Sequence, residues 1–335
     1  MHLKTGKMDI RSIKEYLGQD WLAVQDRISS SLESDIELLN ATNDSILAHS
    51  GKQMRPVLAL LMARACSGDG KVGEATIRYA SAAELLHNAT LLHDDVADAS
   101  DQRRGAPTVM SLMGPSVSVL IGDYWLVKAM ELILGGAQSD VEVIRIFSKT
   151  LSDLAEGEML QLQKAQKGDT DAQDYLRIIY SKTASLFEAA CVSAAVSVDA
   201  CDEYVKAARD YAVALGLAFQ IKDDMLDYAG TDSVGKPLGV DILEQKITIP
   251  LLGAFAGADA EEEKHVRRLV GDIADHPEYR EDVVAFVKSH GGLEYAAERL
   301  HFYVGLAVKA LDVLPQTKER EMLAALAYFT AERVM

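Results

Sequence analysis

The run Leu91-Leu92-His93-Asp94-Asp95-Val96-Ala97-Asp98 packs three carboxylates into five residues, at the end of an apolar helical pattern that begins near Val72. A second copy, Gln220-Ile221-Lys222-Asp223-Asp224-Met225-Leu226-Asp227, ends the helical pattern of residues 203–228. On a helix, Asp94 and Asp98 stand at i and i+4, so their carboxylates stack on one face about 6 Å apart, while Asp95 points roughly 100° away. Asp223 and Asp227 repeat that geometry. Like charges at this spacing destabilise an isolated helix by about a few tenths of a kcal/mol, and a helix C-terminus is the wrong end of the macrodipole for an acid. A chain that carries both costs twice is expected to offset them with bound cations. Oxygen ligands, with no His or Cys at metal spacing, favour Mg²⁺ over Zn²⁺.

Basic residues follow each cluster. Arg103 and Arg104 lie in the polar loop Ser100–Pro107, and Lys236 lies in the loop 230–239, with Lys246 just beyond. Upstream, Ser50-Gly51-Lys52-Gln53-Met54-Arg55-Pro56 opens the apolar run Val57–Ala63. Pro56 suits the first turn of a helix, so Lys52 and Arg55 flank an N-terminus whose free N–H groups already favour an anion. Arg offers bidentate phosphate recognition and Lys a point charge. Together with two Mg²⁺-binding helices, these cations describe a pocket for two polyphosphate groups.

The rest of the chain reads as helix. Residues 9–48 form amphipathic helices broken near Ser29–Ser31, and Ser67–Lys71 is a turn. Segments 117–134, 141–167 and 172–198 are helical, the last running through Lys182-Thr183, and three or four more helices occupy 260–334. No alternating β-branched run and no repeat of 20–50 residues stands out. No linker rich in Pro, Gly or Ser divides the chain, so the expectation is one all-α domain over residues 1–335, with 1–8 a flexible N-terminus. A formal charge of −17 argues against a nucleic-acid partner. No run reaches the length of a transmembrane span, and MHLKTGKMDI lacks the apolar stretch of a secretory signal. The odd set Cys66, Cys191 and Cys201 suggests buried thiols in a reducing compartment, so a cytoplasmic location is expected.

In ordered motifs from about Gly51 to Pro250, the chain resembles the all-trans isoprenyl diphosphate synthases, the head-to-tail prenyltransferases, and within them the medium- and long-chain bacterial enzymes of octaprenyl and solanesyl type. The pieces are GKQMRP at 51–56, HNATLLHDDVAD at 87–98, RRG at 103–105, KT at 182–183, QIKDDMLD at 220–227, and GKPLG at 235–239 followed by Lys246. The resemblance implies a helical bundle of the isoprenoid synthase type with a central catalytic cavity, usually in a homodimer. It implies Mg²⁺ on Asp94, Asp98 and Asp223, with Asp95 and Asp224 beside them among the catalytic aspartates. The allylic diphosphate would sit with Arg103, Lys182, Lys236 and Lys246. Isopentenyl diphosphate would be held by Lys52, Arg55, His87 and Arg104, with Thr183 and Gln220 near the reacting carbons. His87 precedes Asp94 by two helical turns and shares its face. Two departures from the family pattern occur. Gly239-Val240-Asp241 lacks one of the usual paired acids, and Gln245 stands where a Gly commonly precedes the lysine. Both are expected to tune activity from outside the metal's immediate ligands.

In this family a bulky residue four or five positions before the first acidic cluster stops chain growth. Here those positions are Thr90 and Ala89, and no Phe, Tyr or Trp occurs from Ala80 to Asp98. Growth is therefore expected to pass the farnesyl and geranylgeranyl stages. The alternatives are a shorter-chain synthase, or a noncatalytic subunit of a heteromeric synthase, although such subunits usually lack the acidic motifs. A class I terpene cyclase normally carries an Asn/Asp-Ser/Thr-Glu second site instead of a second aspartate motif. An acidic helical scaffold would leave the ordered basic loops unexplained.

Overall fold

Apolar residues recur at helical spacing along most of the chain, and helices form there because that spacing gives each one a face to bury. The structure, a computed structural model, describes residues 9–103, 105–136, 141–229 and 239–332. Two compact units partition the chain: Met1–Ser148 with Ala189–Ala208 and Val313–Leu323, and Lys149–Glu188 with Arg209–Asp312 and Ala324–Met335.

In the first unit, helices span Ile10–Leu17, Gln19–Ser31, Glu37–Ala48, Met54–Cys66, Glu74–Ala97, Val109–Met113 and Pro115–Leu134. The N-terminal segment breaks twice. One break follows Ser31, close to the expected serine cluster, and the other is Gly18, whose φ of +54° is the left-handed backbone that glycine adopts without strain. Met54–Cys66 is buried on all sides except at Arg64, whose Nε donates to Asp20 at 2.9 Å. Glu74–Ala97 runs antiparallel to Pro115–Leu134: Ser118 meets Leu92, whereas Leu132 meets Arg78 near the opposite end.

In the second unit, Ala172–Ile179 leads into a π-helical turn at Tyr180–Ala184. The short helix Val240–Leu243 follows later, then Ile249–Gly257, Ala260–Gly271, Tyr279–Ser289 and Gly292–Ala310. Asp171 and Asp259 begin their helices with capping boxes completed by Asp174 and Glu262. Tyr228, Ile242, Leu251, Phe255, Val270 and Val287 form the centre of a buried cluster in this unit. The helices Val141–Lys167, Ser185–Val196, Asp202–Ala229 and Lys318–Glu332 contribute residues to both units.

One departure from an all-helical chain is a hairpin of two-residue strands, Gln102–Arg103 paired antiparallel with Ala106–Pro107. Gly105 turns it at φ +78°. Strands this short leave no periodic trace in a sequence. Among the described residues, no helix is long and apolar enough to cross a membrane.

Candidate active site

The first aspartate motif closes the helix Glu74–Ala97. Asp98 is its C-terminal cap, and the Asp98 N–H donates to the Asp94 carbonyl at 2.8 Å, which carries the helical repeat past the last helical residue. The i, i+4 relation of Asp94 and Asp98 therefore holds. Asp94 is half-buried and Asp98 exposed. Asp95 has a different environment. It is only 3% exposed, and Arg103 Nε donates to its Oδ1 at 2.7 Å. Burial pushes the Asp95 carboxyl above its ordinary value, with the Arg103 guanidinium pulling the other way. Asp95 thus anchors the hairpin arginine to the helix end.

The neighbouring helix fixes that end from behind. The buried Ser118 hydroxyl donates to the Leu92 carbonyl at 2.9 Å, and His93 Nε2 lies 3.2 Å from Asp123 Oδ1. A β-carbon on Gly122 would lie 2.6 Å from His93 Cδ2, so the imidazole would have to shift to admit one. Upstream, His87 is half-buried, Thr90 Oγ1 donates to the His87 carbonyl at 2.8 Å, and Ala89 is 1% exposed. Lys52 is exposed and Arg55 buried, at the N-terminus of Met54–Cys66. Arg104 lies outside the described residues.

The second unit brings another set together around a cavity lined by Lys182, Thr183, Gln220, Asp224, Asp241 and Lys246 among others. Lys182 and Thr183 project from the π-helical turn, a local distortion often found at functional sites. Two glycines admit that turn. A β-carbon on Gly157 would lie 2.6 Å from Ser181 Cβ, and one on Gly216 would lie 2.5 Å from Ala184 Cα. Lys182 Nζ forms an ion pair with Glu158, and Lys246 Nζ with Glu244. Thr183 Oγ1 donates to Gln220 Oε1 at 2.8 Å, and Gln220 Nε2 donates to Asp224 Oδ1 at 2.9 Å. Tyr175 completes the chain by donating to Asp224 Oδ2 at 2.6 Å.

The second motif is not a copy of the first. Asp223 is half-buried, but Asp227 accepts the backbone N–H groups of Val240 and Asp241, each at 3.1 Å, and so secures the start of the short helix Val240–Leu243. Asp224 is held well above the usual carboxylate range by burial and then by Asp241. Asp241 is pushed up to about 7 by burial and then by Asp227, with Lys246 pulling it back. Asp241 lines the cavity, next in sequence to Val240, where the family pattern carries the second acid. Tyr175 and Glu158 lie outside every motif singled out in the sequence. Lys236 and the rest of residues 230–238 lie outside the described residues.

Among the described residues, no three His, Cys, Asp or Glu side chains converge into a closed metal cage. The acids occur instead as hard oxygen donors in ones and twos, as at Asp94 with Asp98 and at Asp223. That fits Mg²⁺, which takes one or two carboxylates and completes its octahedron with water and substrate phosphate.

Comparison with known proteins agrees with the chemistry of this set. The polyprenyl synthetase family model matches residues 36–287. The octaprenyl diphosphate synthase of Escherichia coli (strain K12) is 37% identical over 327 residues, 97% of this chain and 99% of that protein. The solved structure of a decaprenyl diphosphate synthase from Rhodobacter capsulatus superposes with a TM-score of 0.90 at 36% identity, covering 98% of this chain and 100% of that one. A polyprenyl synthase from Caulobacter crescentus CB15, solved with calcium and isoprenyl diphosphate, gives a TM-score of 0.88 at 33% identity, with 98% of each chain covered. Its full-length match to these enzymes and its ordered aspartate and lysine motifs place this chain in the polyprenyl synthetase family.

Proposed function

We propose that this protein condenses isopentenyl diphosphate head to tail onto an allylic diphosphate and makes a long-chain all-trans polyprenyl diphosphate. The observation that carries this reading is the cavity where Lys182 and Lys246 stand with Thr183, Gln220, Asp224 and Asp241. It pairs cations for a diphosphate with neutral oxygens for a carbon skeleton.

Mg²⁺ is the metal proposed: Asp94, Asp98 and Asp223 would hold it, and it would supply positive charge to the departing diphosphate. Arg103, Lys182, Lys236 and Lys246 bind that same diphosphate and stabilise the charge that develops on it. Lys52, Arg55, His87 and Arg104 hold isopentenyl diphosphate, and Thr183 and Gln220 flank the reacting carbons. The isopentenyl double bond attacks the allylic carbon, the allylic carbon–oxygen bond breaks, and a proton passes to the departed diphosphate. No protein nucleophile is needed.

The chain is proposed to act as one domain and as a homodimer. Leu120, Val127 and Leu134 are 68%, 54% and 49% exposed on the helix Pro115–Leu134 and recur every seven residues, a stripe that a second copy would cover. The three free thiols support a cytoplasmic location. Incubation of the purified protein with Mg²⁺, farnesyl diphosphate and isopentenyl diphosphate tests the reaction. A ladder of products beyond the geranylgeranyl stage is expected. Arrest at that stage would make it a short-chain synthase, and a hydrocarbon product would make it a cyclase. Complete inactivity would point to a subunit that needs a partner.

A further inference from the structure

Tyr175 belongs to no motif, yet it ends a hydrogen-bond chain that begins in the cavity. The chain runs Thr183 Oγ1 to Gln220 Oε1 at 2.8 Å, Gln220 Nε2 to Asp224 Oδ1 at 2.9 Å, and Tyr175 OH to Asp224 Oδ2 at 2.6 Å. Tyr175 is 2% exposed and Asp224 3%, and both line the cavity wall.

The direction of the chain is set at its buried end. Both Asp224 oxygens accept, one from the phenol and one from the amide. Gln220 must therefore turn its NH₂ group toward Asp224, which leaves its carbonyl oxygen facing Thr183. Thr183 must then spend its only hydroxyl hydrogen on Gln220. The lone pairs of Thr183 Oγ1 and Gln220 Oε1 remain for whatever occupies the cavity, with no hydroxyl hydrogen aimed at it.

We propose that Tyr175 is a positioning residue that acts through Asp224 and Gln220 to present acceptor oxygens to the allylic carbon of the substrate. This rests on the prenyltransferase reading above. An acceptor-only surface favours positive charge on that carbon as the diphosphate departs, and it offers no proton donor to the isopentenyl double bond. With the phenol gone, Asp224 Oδ2 loses its donor, and the carboxylate is free to rotate and release the Gln220 amide.

The test is a double-mutant cycle between Tyr175→Phe and Thr183→Val, assayed with Mg²⁺, farnesyl diphosphate and isopentenyl diphosphate. Tyr175→Phe is expected to lower kcat by roughly tenfold to a hundredfold, the scale of one buried oxygen left without its hydrogen-bond partner. KM for both diphosphates should stay within about twofold, because the cations are untouched. In the Thr183→Val background, Tyr175→Phe should have little further effect on kcat, since the element it orients is already gone. A wild-type kcat in Tyr175→Phe, or additive losses in the double variant, would overturn the inference while leaving the prenyltransferase reading in place. If Tyr175→Phe does not fold, Asp224→Ala replaces it in the same cycle, because it removes both oxygens that fix the Gln220 amide. Additive losses there overturn the inference equally. Wild-type protein that forms no prenyl product removes both readings.

Discussion

Gly216 holds its backbone against Ala184 so closely that a β-carbon would lie 2.5 Å from the Ala184 Cα and 2.7 Å from its Cβ. The partner atoms belong to the π-helical turn that carries Lys182 and Thr183, so they cannot yield as a flexible side chain would. Gly216→Ala is expected to destabilise the protein by about 1–3 kcal/mol, the usual cost of overpacking, and to reduce kcat by displacing Lys182 and Thr183. Chemical denaturation and steady-state kinetics measure the two effects. Gly271→Ala is the control, since nothing lies within 4 Å of the added carbon, and it should leave both unchanged.

Asp94 and Asp223 are expected to tolerate substitution structurally, because each is only half-buried. Asp94→Ala or Asp223→Ala should lower turnover by on the order of a hundredfold to a thousandfold, the scale of losing one preorganised electrostatic group. Thermal unfolding without metal should stay close to that of the parent protein. Wild-type rates in either variant would remove that aspartate from the metal assignment.

How far the site could be read from sequence depended on how local its causes were. The helix Val141–Lys167 and the end of Pro115–Leu134 follow from apolar spacing and bounding glycines, which are local. The divergence of Asp94 from Asp95 is also local, because adjacent residues on a helix point about 100° apart. Its consequence was not local. That Asp95 would take Arg103 depends on a hairpin turning at Gly105. Asp98 and Asp227 hold the same place in their motifs, yet only Asp227 receives the N–H groups of Val240 and Asp241. The π-helical turn at Tyr180–Ala184 has an unremarkable helical sequence. It is set among Gly157 and Gly216, residues distant along the chain. Tyr175 went unread for the same reason, because its partner Asp224 comes from another helix.

The cysteines give a prediction independent of catalysis. Alkylation requires the thiolate, and burial pushes the Cys66 thiol up to about 12 and the fully buried Cys191 thiol up as well. Both stay protonated and shielded in the folded protein near pH 8, whereas Cys201 is exposed. Iodoacetamide should label Cys201 first in native protein and all three thiols after denaturation. Intact mass before and after denaturation reads the count, and prompt labelling of Cys191 in native protein would contradict its burial.

Ala89 is the position on which product length is expected to turn. It stands four residues before His93, so the two share one face of the helix, and His93 lies against Gly122 of the helix Pro115–Leu134. Trp125 and Ala129 are fully buried on that second helix, and Ala89 itself is 1% exposed. A larger side chain at Ala89 therefore points into the protein interior, one helical turn below the aspartates. Ala89→Phe places an aromatic ring in the path proposed for the growing chain, and its product distribution should shift toward shorter polyprenyl diphosphates. Chromatography of the dephosphorylated alcohols measures the shift. Overpacking of about 1–3 kcal/mol lowers stability without choosing a product length, so Ala89→Ser serves as the size control and should retain the parent distribution. If Ala89→Phe remains active and its product is no shorter, the growing chain does not pass this face of the helix, and the small residue at position 89 serves packing alone.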